Sequence, residues 1–104
     1  MVNHYITPDS KHSALLIIDV QRDFTIRGAM TEISGTLQVT QPIQRLVQVY
    51  RKQAYPIIHV IRLCYVDGSN VDLCRKHDIE NGKQVVIAGS NGAELMNELS
   101  QCME

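Results

Sequence analysis

The strongest constraint on the fold is the run Ala14-Leu15-Leu16-Ile17-Ile18-Asp19-Val20-Gln21-Arg22-Asp23-Phe24, in which five apolar residues meet a carboxylate. A short unbroken apolar run is the pattern of a strand buried on both faces of a parallel sheet; a half-exposed strand would alternate. Open α/β folds carry their reactive groups at the C-terminal ends of such strands. Asp19 therefore stands where a general acid or base would stand. The same position suits a carboxylate that caps the following loop by accepting backbone N–H bonds. Position alone leaves both roles open.

The rest of the chain supplies the other parts of an α/β fold. Residues 1–12 are polar, carry Pro8 and read as an irregular arm. Residues 14–18 are the first strand. The segment 20–35, with Gly28 and Gly35, reads as a long connection too irregular for a helix, and connections above about 12 residues are often functional. A helix is predicted over 41–54, with Thr40 as its N-cap and Pro42 tolerated in the first turn. Ile43, Leu46, Val47, Tyr50 and Ala54 share one face of it. Pro56 opens a second strand over 57–63, rich in β-branched residues and apolar on both faces. Strand, helix and strand at these lengths form a βαβ unit with parallel strands. Beyond it, Asp67-Gly68-Ser69-Asn70 signals a turn, 72–79 a helical turn or two, and 85–87 a short extended piece. Gly89-Ser90-Asn91-Gly92 then breaks the chain before a helix over 93–101.

Composition narrows the partners. The 104 residues carry a net charge of -1, which gives no electrostatic reason for a nucleic acid or an anionic membrane to bind. No apolar run approaches the roughly 18 residues that span a bilayer, and the N-terminus lacks the basic start and apolar core of a signal peptide. Cys64, Cys74 and Cys102 are odd in number and lack disulfide-scaffold spacing, so reduced thiols and a cytoplasmic location are expected.

Other candidates have plainer explanations. Asp23 reads as a solvated loop charge. His4, His12, His59 and His77 show no metal-binding spacing, and Cys74 with His77 is half of a zinc pattern whose second half does not follow, so no metal is expected. His59, on an apolar strand, reads as a hydrogen-bonded core residue. The three cysteines read as buried or incidental thiols, Cys64 being the best placed of them for chemistry because it ends a strand. Gly89-Ser90-Asn91-Gly92 matches no complete phosphate-binding loop and reads as a helix-entry turn.

Taken together, Leu15-Leu16-Ile17-Ile18-Asp19-Val20-Gln21-Arg22-Asp23-Phe24 resembles the opening motif of the isochorismatase-like cysteine hydrolases, an apolar strand leading into Asp-x-Gln-x-x-Phe. His59-Val60-Ile61-Arg62-Leu63 is similar to the second strand of that family. Asp67-Gly68-Ser69-Asn70-Val71-Asp72-Leu73-Cys74-Arg75 and Gly89-Ser90-Asn91-Gly92-Ala93-Glu94-Leu95 are similar to a subgroup of it. The resemblance runs from Ser13 onward. It implies a three-layer α/β/α fold around a parallel sheet, and an Asp–Lys–Cys triad that hydrolyses amides, or vinyl ethers in the isochorismatases proper, without a cofactor. The family's Asp falls on Asp19, the implied general base, and the implied substrate-pocket positions are Phe24 and Gln21.

The family's Lys and Cys lie beyond the last matching segment. Lys83 precedes that segment, and Cys102 lacks the glycine-containing approach to a helix, so neither takes the role. The zinc-binding Asp-x-His of the nicotinamidase branch has no counterpart after Leu63, and Ala88 stands where many relatives have proline. Residues 1–104 are therefore expected to form a single, truncated domain that holds Asp19 without its partners and is inactive alone. A βαβ unit apolar on both faces needs cover on each side and strands at its edges, and about two helices are available. Self-association as a homo-oligomer is the expected remedy. A non-catalytic, self-associating module and a small-anion-binding α/β domain are the alternative functions.

Overall fold

In the computed structural model, which describes residues 3–96 and Leu99, β1 (Leu15–Ile18) and β2 (Ile57–Val60) run parallel. Leu15 lies opposite Ile57, and Ile18 opposite Val60. Between them, α1 (Arg22–Thr25) is a single turn and α2 (Thr36–Lys52) is the long crossover helix. After β2 come α3 (Leu73–Glu80) and a 3₁₀ turn at Asn91–Ala93. Another 3₁₀ turn, Ser10–His12, precedes β1 and is capped by the Asp9 carboxylate. This is the βαβ unit expected of an incomplete α/β fold.

The crossover helix begins five residues before the expected start. Gly35, at φ 91, turns the chain into it, and the Thr36 hydroxyl donates to the Phe24 and Ile33 carbonyls. Thr40 is consequently buried inside the helix and is not its cap, and its hydroxyl donates to the Leu37 carbonyl. Pro42 lies well past the first turn, where its missing N–H deletes a helical hydrogen bond. Burial of Leu37 against the core holds the extended start in place. The buried face runs through Leu37, Thr40, Ile43 and Val47, while Leu46 faces solvent.

Ala54 also leaves the expected face, because the helix ends before it. Ala54 has φ 58, its N–H donates to the Arg51 carbonyl, and the Tyr55 N–H donates to the Tyr50 carbonyl. These two bonds make a Schellman motif, with Ala54 at the position usually given to glycine. Tyr50 and Tyr55 pack edge-to-face with ring centroids 5.6 Å apart, the apolar contact that accompanies such a stop.

The core lies in two parts. Ile17, Val47, Met96 and Leu99 are buried between the sheet and α2, joined by half-buried Leu15, Val20, Ile26, Leu37, Ile43 and Ile57. Phe24, Cys64, Ile79, Val85, Val86 and Ala93 form the second cluster beyond the strand ends. The other face of the sheet is bare. Leu16, Ile18, Ile58 and Val60 are 53%, 57%, 47% and 40% exposed, so the strands have the composition of a doubly covered sheet and the cover of a singly covered one. No helix among the described residues is long and apolar enough to cross a membrane.

Candidate functional site

The C-terminal ends of β1 and β2 gather three segments of chain. Asp19 follows β1 directly, with φ 60 and an N–H that donates to the Val60 carbonyl at 2.9 Å. A left-handed conformation is uncommon for a non-glycine residue and is best tolerated by Asn and Asp. It ends the strand and turns the chain. The Asp19 side chain is exposed.

Two residues later the chain is locked. Gln21 is fully buried, and its amide uses both ends. The Arg62 N–H donates to Gln21 Oε1 at 2.8 Å, and Gln21 Nε2 donates to the Arg62 and Ala93 carbonyls, each at 2.7 Å. The backbone on either side pairs as well: the Arg22 N–H donates to the Glu94 carbonyl at 2.9 Å, and Gln21 and Leu95 form an antiparallel bridge. One side chain thus joins the end of β1, the continuation of β2 and the segment after Gly92. It also explains why β2 stops at Val60 and not at Leu63, because at Arg62 the amide takes up the backbone groups that a strand partner would use.

Asp23 is half-buried and structural, which overturns its reading as a solvated charge. Its carboxylate accepts the Val86 N–H at 2.7 Å and lies so close to Gly92 that a Cβ there would overlap it. Val86 has φ 43, a strained value for a β-branched residue, so 85–87 is not the extended piece expected, and only Ile87 pairs, as a parallel bridge with Cys64. The segment expected as helix 93–101 opens with the 3₁₀ turn and the Leu95 bridge, and most of its remainder lies outside the described residues.

Phe24 sits in the second core cluster, 5.8 Å beneath the Arg75 guanidinium. Arg62 reaches outward to an ion pair with Asp72, a contact with no clear sequence signal. Gln21 is signalled only through the motif resemblance, and an amide is the side chain that serves donor and acceptor alike.

Beside this junction lies a cavity of about 490 Å³, walled by His59, Ile61 and Leu63 on one side and by Gly89, Ser90, Ala93, Glu94 and Leu95 on the other. Asp19, Gln21 and Phe24 are not among its lining residues. His59 is not the hydrogen-bonded core residue expected: its Nδ1 is buried without a partner. Desolvation holds its imidazole below the ordinary histidine range.

The described thiols do not complete a site. Cys64 is buried in the core and Cys74 is exposed on α3, both free, while Cys102 lies outside the described residues. Lys83 pairs with Asp78 at 3.4 Å. Among the described residues, no three His, Cys, Asp or Glu side chains group as metal ligands.

Comparison with known proteins agrees with this geometry. The model of the isochorismatase domain matches residues 13–102. An Arabidopsis thaliana protein described as a probable inactive nicotinamidase is 36% identical over 86% of this chain and 46% of its own length. The crystal structure of an isochorismatase family protein from Desulfovibrio vulgaris superposes with a TM-score of 0.79 at 34% identity, over 83% of this chain and 45% of that one. A cysteine hydrolase from Pseudomonas syringae shares the fold, with a TM-score of 0.74 at 23% identity over 88% of this chain and 43% of its own. The chain spans about half the length of the relatives it matches, and it belongs to the isochorismatase family.

Proposed function

We propose that this chain supplies the base-bearing half of an isochorismatase-type hydrolase domain, with Asp19 as the general base, and that it has no hydrolase activity alone. The observation that carries this reading is the state of Asp19. Its neighbours are clamped by the Gln21 amide, while its own carboxylate is exposed at the end of β1 on a backbone held at φ 60. Backbone strain that persists at one polar residue, beside a rigid junction, is characteristic of functional positions.

In a complete site, Asp19 would take the proton of a cysteine thiol, the thiolate would attack the carbonyl carbon of an amide, and the proton would pass from Asp19 to the nitrogen as the C–N bond breaks, leaving a thioester and a free amine. The described cysteines are unsuited to this: Cys64 is packed in the core, and Cys74 lies on α3. Gln21 and Phe24 act as positioning residues, because both are buried and hold the loop that presents Asp19. The relative described as a probable inactive nicotinamidase favours an amide as the bond for which the lineage is built. The free thiols of Cys64 and Cys74 support a cytoplasmic setting.

The test is turnover of nicotinamide and of isochorismate by the pure 104-residue protein. None is expected. Turnover that Asp19→Asn abolishes would overturn the inactivity of the chain alone.

A further inference from the structure

We propose that Asn91 is a site of spontaneous covalent modification, at which the backbone nitrogen of Gly92 displaces the side-chain amide and converts Asn91 to isoaspartate and aspartate. The sequence holds two Asn-Gly pairs, Asn81-Gly82 and Asn91-Gly92. In such a pair the glycine has no Cβ to shield its nitrogen or restrict its backbone, so that nitrogen can reach the asparagine side-chain carbon. The fold protects one pair and leaves the other open.

Asn81-Gly82 closes α3 and is tied at both residues. The Asn81 N–H donates to the His77 carbonyl at 3.1 Å and the Gly82 N–H to the Ile79 carbonyl at 3.0 Å. The Asn81 side-chain amide also donates to the His77 carbonyl, at 2.7 Å. The attacking nitrogen is engaged and the leaving amide is anchored. Asn91-Gly92 lies instead in the 3₁₀ turn Asn91–Ala93. Two long bonds close that turn, from the Ala93 N–H to the Ser90 carbonyl and from the Glu94 N–H to the Asn91 carbonyl, each 3.2 Å. Asn91 is exposed, and among the described residues neither its side-chain amide nor the Gly92 N–H is hydrogen-bonded. A single 3₁₀ turn with such bonds opens locally without unfolding the domain.

In the open turn the Gly92 nitrogen attacks Asn91 Cγ. The new C–N bond closes a five-membered succinimide as the Cγ–Nδ2 bond breaks, and Nδ2 leaves as ammonia with the proton lost from the Gly92 nitrogen. Water then opens the ring. Cleavage between the Gly92 nitrogen and the Asn91 backbone carbonyl leaves isoaspartate, and cleavage at Cγ leaves aspartate. Either product strikes the junction beside Asp19. The Ala93 carbonyl accepts Gln21 Nε2, the Glu94 carbonyl accepts the Arg22 N–H, and the Asp23 carboxylate lies against Gly92. Isoaspartate lengthens the backbone entering Gly92 by one methylene, and both products add a negative charge one residue from the glycine on which Asp23 packs. Conversion therefore loosens the clamp, whatever the role of Asp19.

The experiment ages the purified protein at physiological temperature and mildly alkaline pH, folded and in urea. Trypsin cuts after Lys76 and Lys83 and so places the two Asn-Gly pairs on separate peptides, whose mass gain and chromatographic splitting measure each conversion. In the folded protein Asn91 should convert about tenfold faster than Asn81, the factor expected of the hydrogen bonds that hold Asn81 and Gly82. In urea the two rates should converge. Equal rates in the folded protein, faster conversion at Asn81, or a difference that persists in urea would overturn the assignment. Aged protein should also melt below fresh protein, and Asn91→Ser, which removes the amide at an exposed position, should abolish that loss. A melting temperature that stays constant as Asn91 converts, or that falls equally in Asn91→Ser, would overturn the coupling to the clamp.

Discussion

Replacing Gln21 by leucine should cost this small domain about 3–5 kcal/mol. The side chain is fully buried and makes three hydrogen bonds of 2.7–2.8 Å, all to backbone groups of other segments. A hydrogen bond contributes about 1 kcal/mol net, and a buried partner left unsatisfied costs about 1–3 kcal/mol. Leucine fills similar space but strands the Arg62 N–H and the Arg62 and Ala93 carbonyls, so the loss falls toward the upper part of that range. Domains of this size are stable by some 5–15 kcal/mol, the smaller ones near the bottom. The variant should therefore lie close to its unfolding midpoint in water. In urea, with a slope of about 1–3 kcal/mol/M, the midpoint should fall by roughly 2 M at constant slope. Gln48→Leu, the same chemical change on the exposed side of α2, should move stability by less than about 0.5 kcal/mol. A Gln21→Leu protein within about 1 kcal/mol of the parent would refute the clamp.

Gln21→Glu tests the polarity of the same amide. The oxygen that replaces Nε2 would face two carbonyls and could donate to one of them only when protonated, so the folded state raises the pKa of the new carboxyl above its unfolded value of about 4.3. The folded protein then holds a proton that the unfolded chain releases. Stability from that proton is complete below about pH 4.3 and is lost as the pH rises through the folded value. The deficit relative to the parent should be smaller near pH 4 than at pH 7, one carbonyl staying unsatisfied even at low pH, and an equal deficit at both would refute the assignment of donor and acceptor.

Three further substitutions probe other parts of the fold. Ala54→Gly should raise stability by about 0.5–1 kcal/mol, seen as a higher melting temperature, because Ala54 closes the Schellman motif at φ 58. Gly92→Ala should lower it by about 1–3 kcal/mol by pushing the Asp23 carboxylate off the Val86 N–H; in an Asp23→Ala background the same change should cost far less, and additive losses in the double-mutant cycle would show that the two sites are uncoupled. His59, held below the histidine range by desolvation, stabilises the fold fully above about pH 6.5, and that contribution is lost as the pH falls from there through the folded value. His59→Leu should flatten the dependence of unfolding free energy on pH just below 6.5, and an unchanged slope would assign it to other groups.

The strand, crossover and strand were legible because their signal is periodic and local. The run 14–18 and the β-branched segment after Pro56 needed only composition to place them, and the structure pairs them in parallel. The errors fall where tertiary contacts outweigh local rules. Thr40 and Pro42 form a persuasive helix start, but Leu37 reaches the core only if the helix begins before them. Asp23 looked like a loop charge because its partners, Val86 and Gly92, lie more than sixty residues away in the chain. The family motif places Gln21 only as an implied pocket position, and its clamping role is not legible, since its three partners are backbone atoms that no sequence pattern displays.

The arrangement of polar and apolar groups around β1 links these findings. On the covered side and at the strand end, Val47 closes the core, Gln21 closes the backbone and Asp23 holds the turn at Val86, while the His59 Nδ1 has no partner. On the other side, the same strand leaves Leu16 and Ile18 in water beside an open edge. Asp19 lies at the boundary between the two. A carboxylate that served the chain's own stability would be expected on the satisfied side, accepting bonds as Asp23 does. Asp19 is instead exposed and strained next to the side that lacks its cover. The internal clamps of Gln21 and Asp23 therefore fix the backbone on which the exposed Asp19 carboxylate is presented.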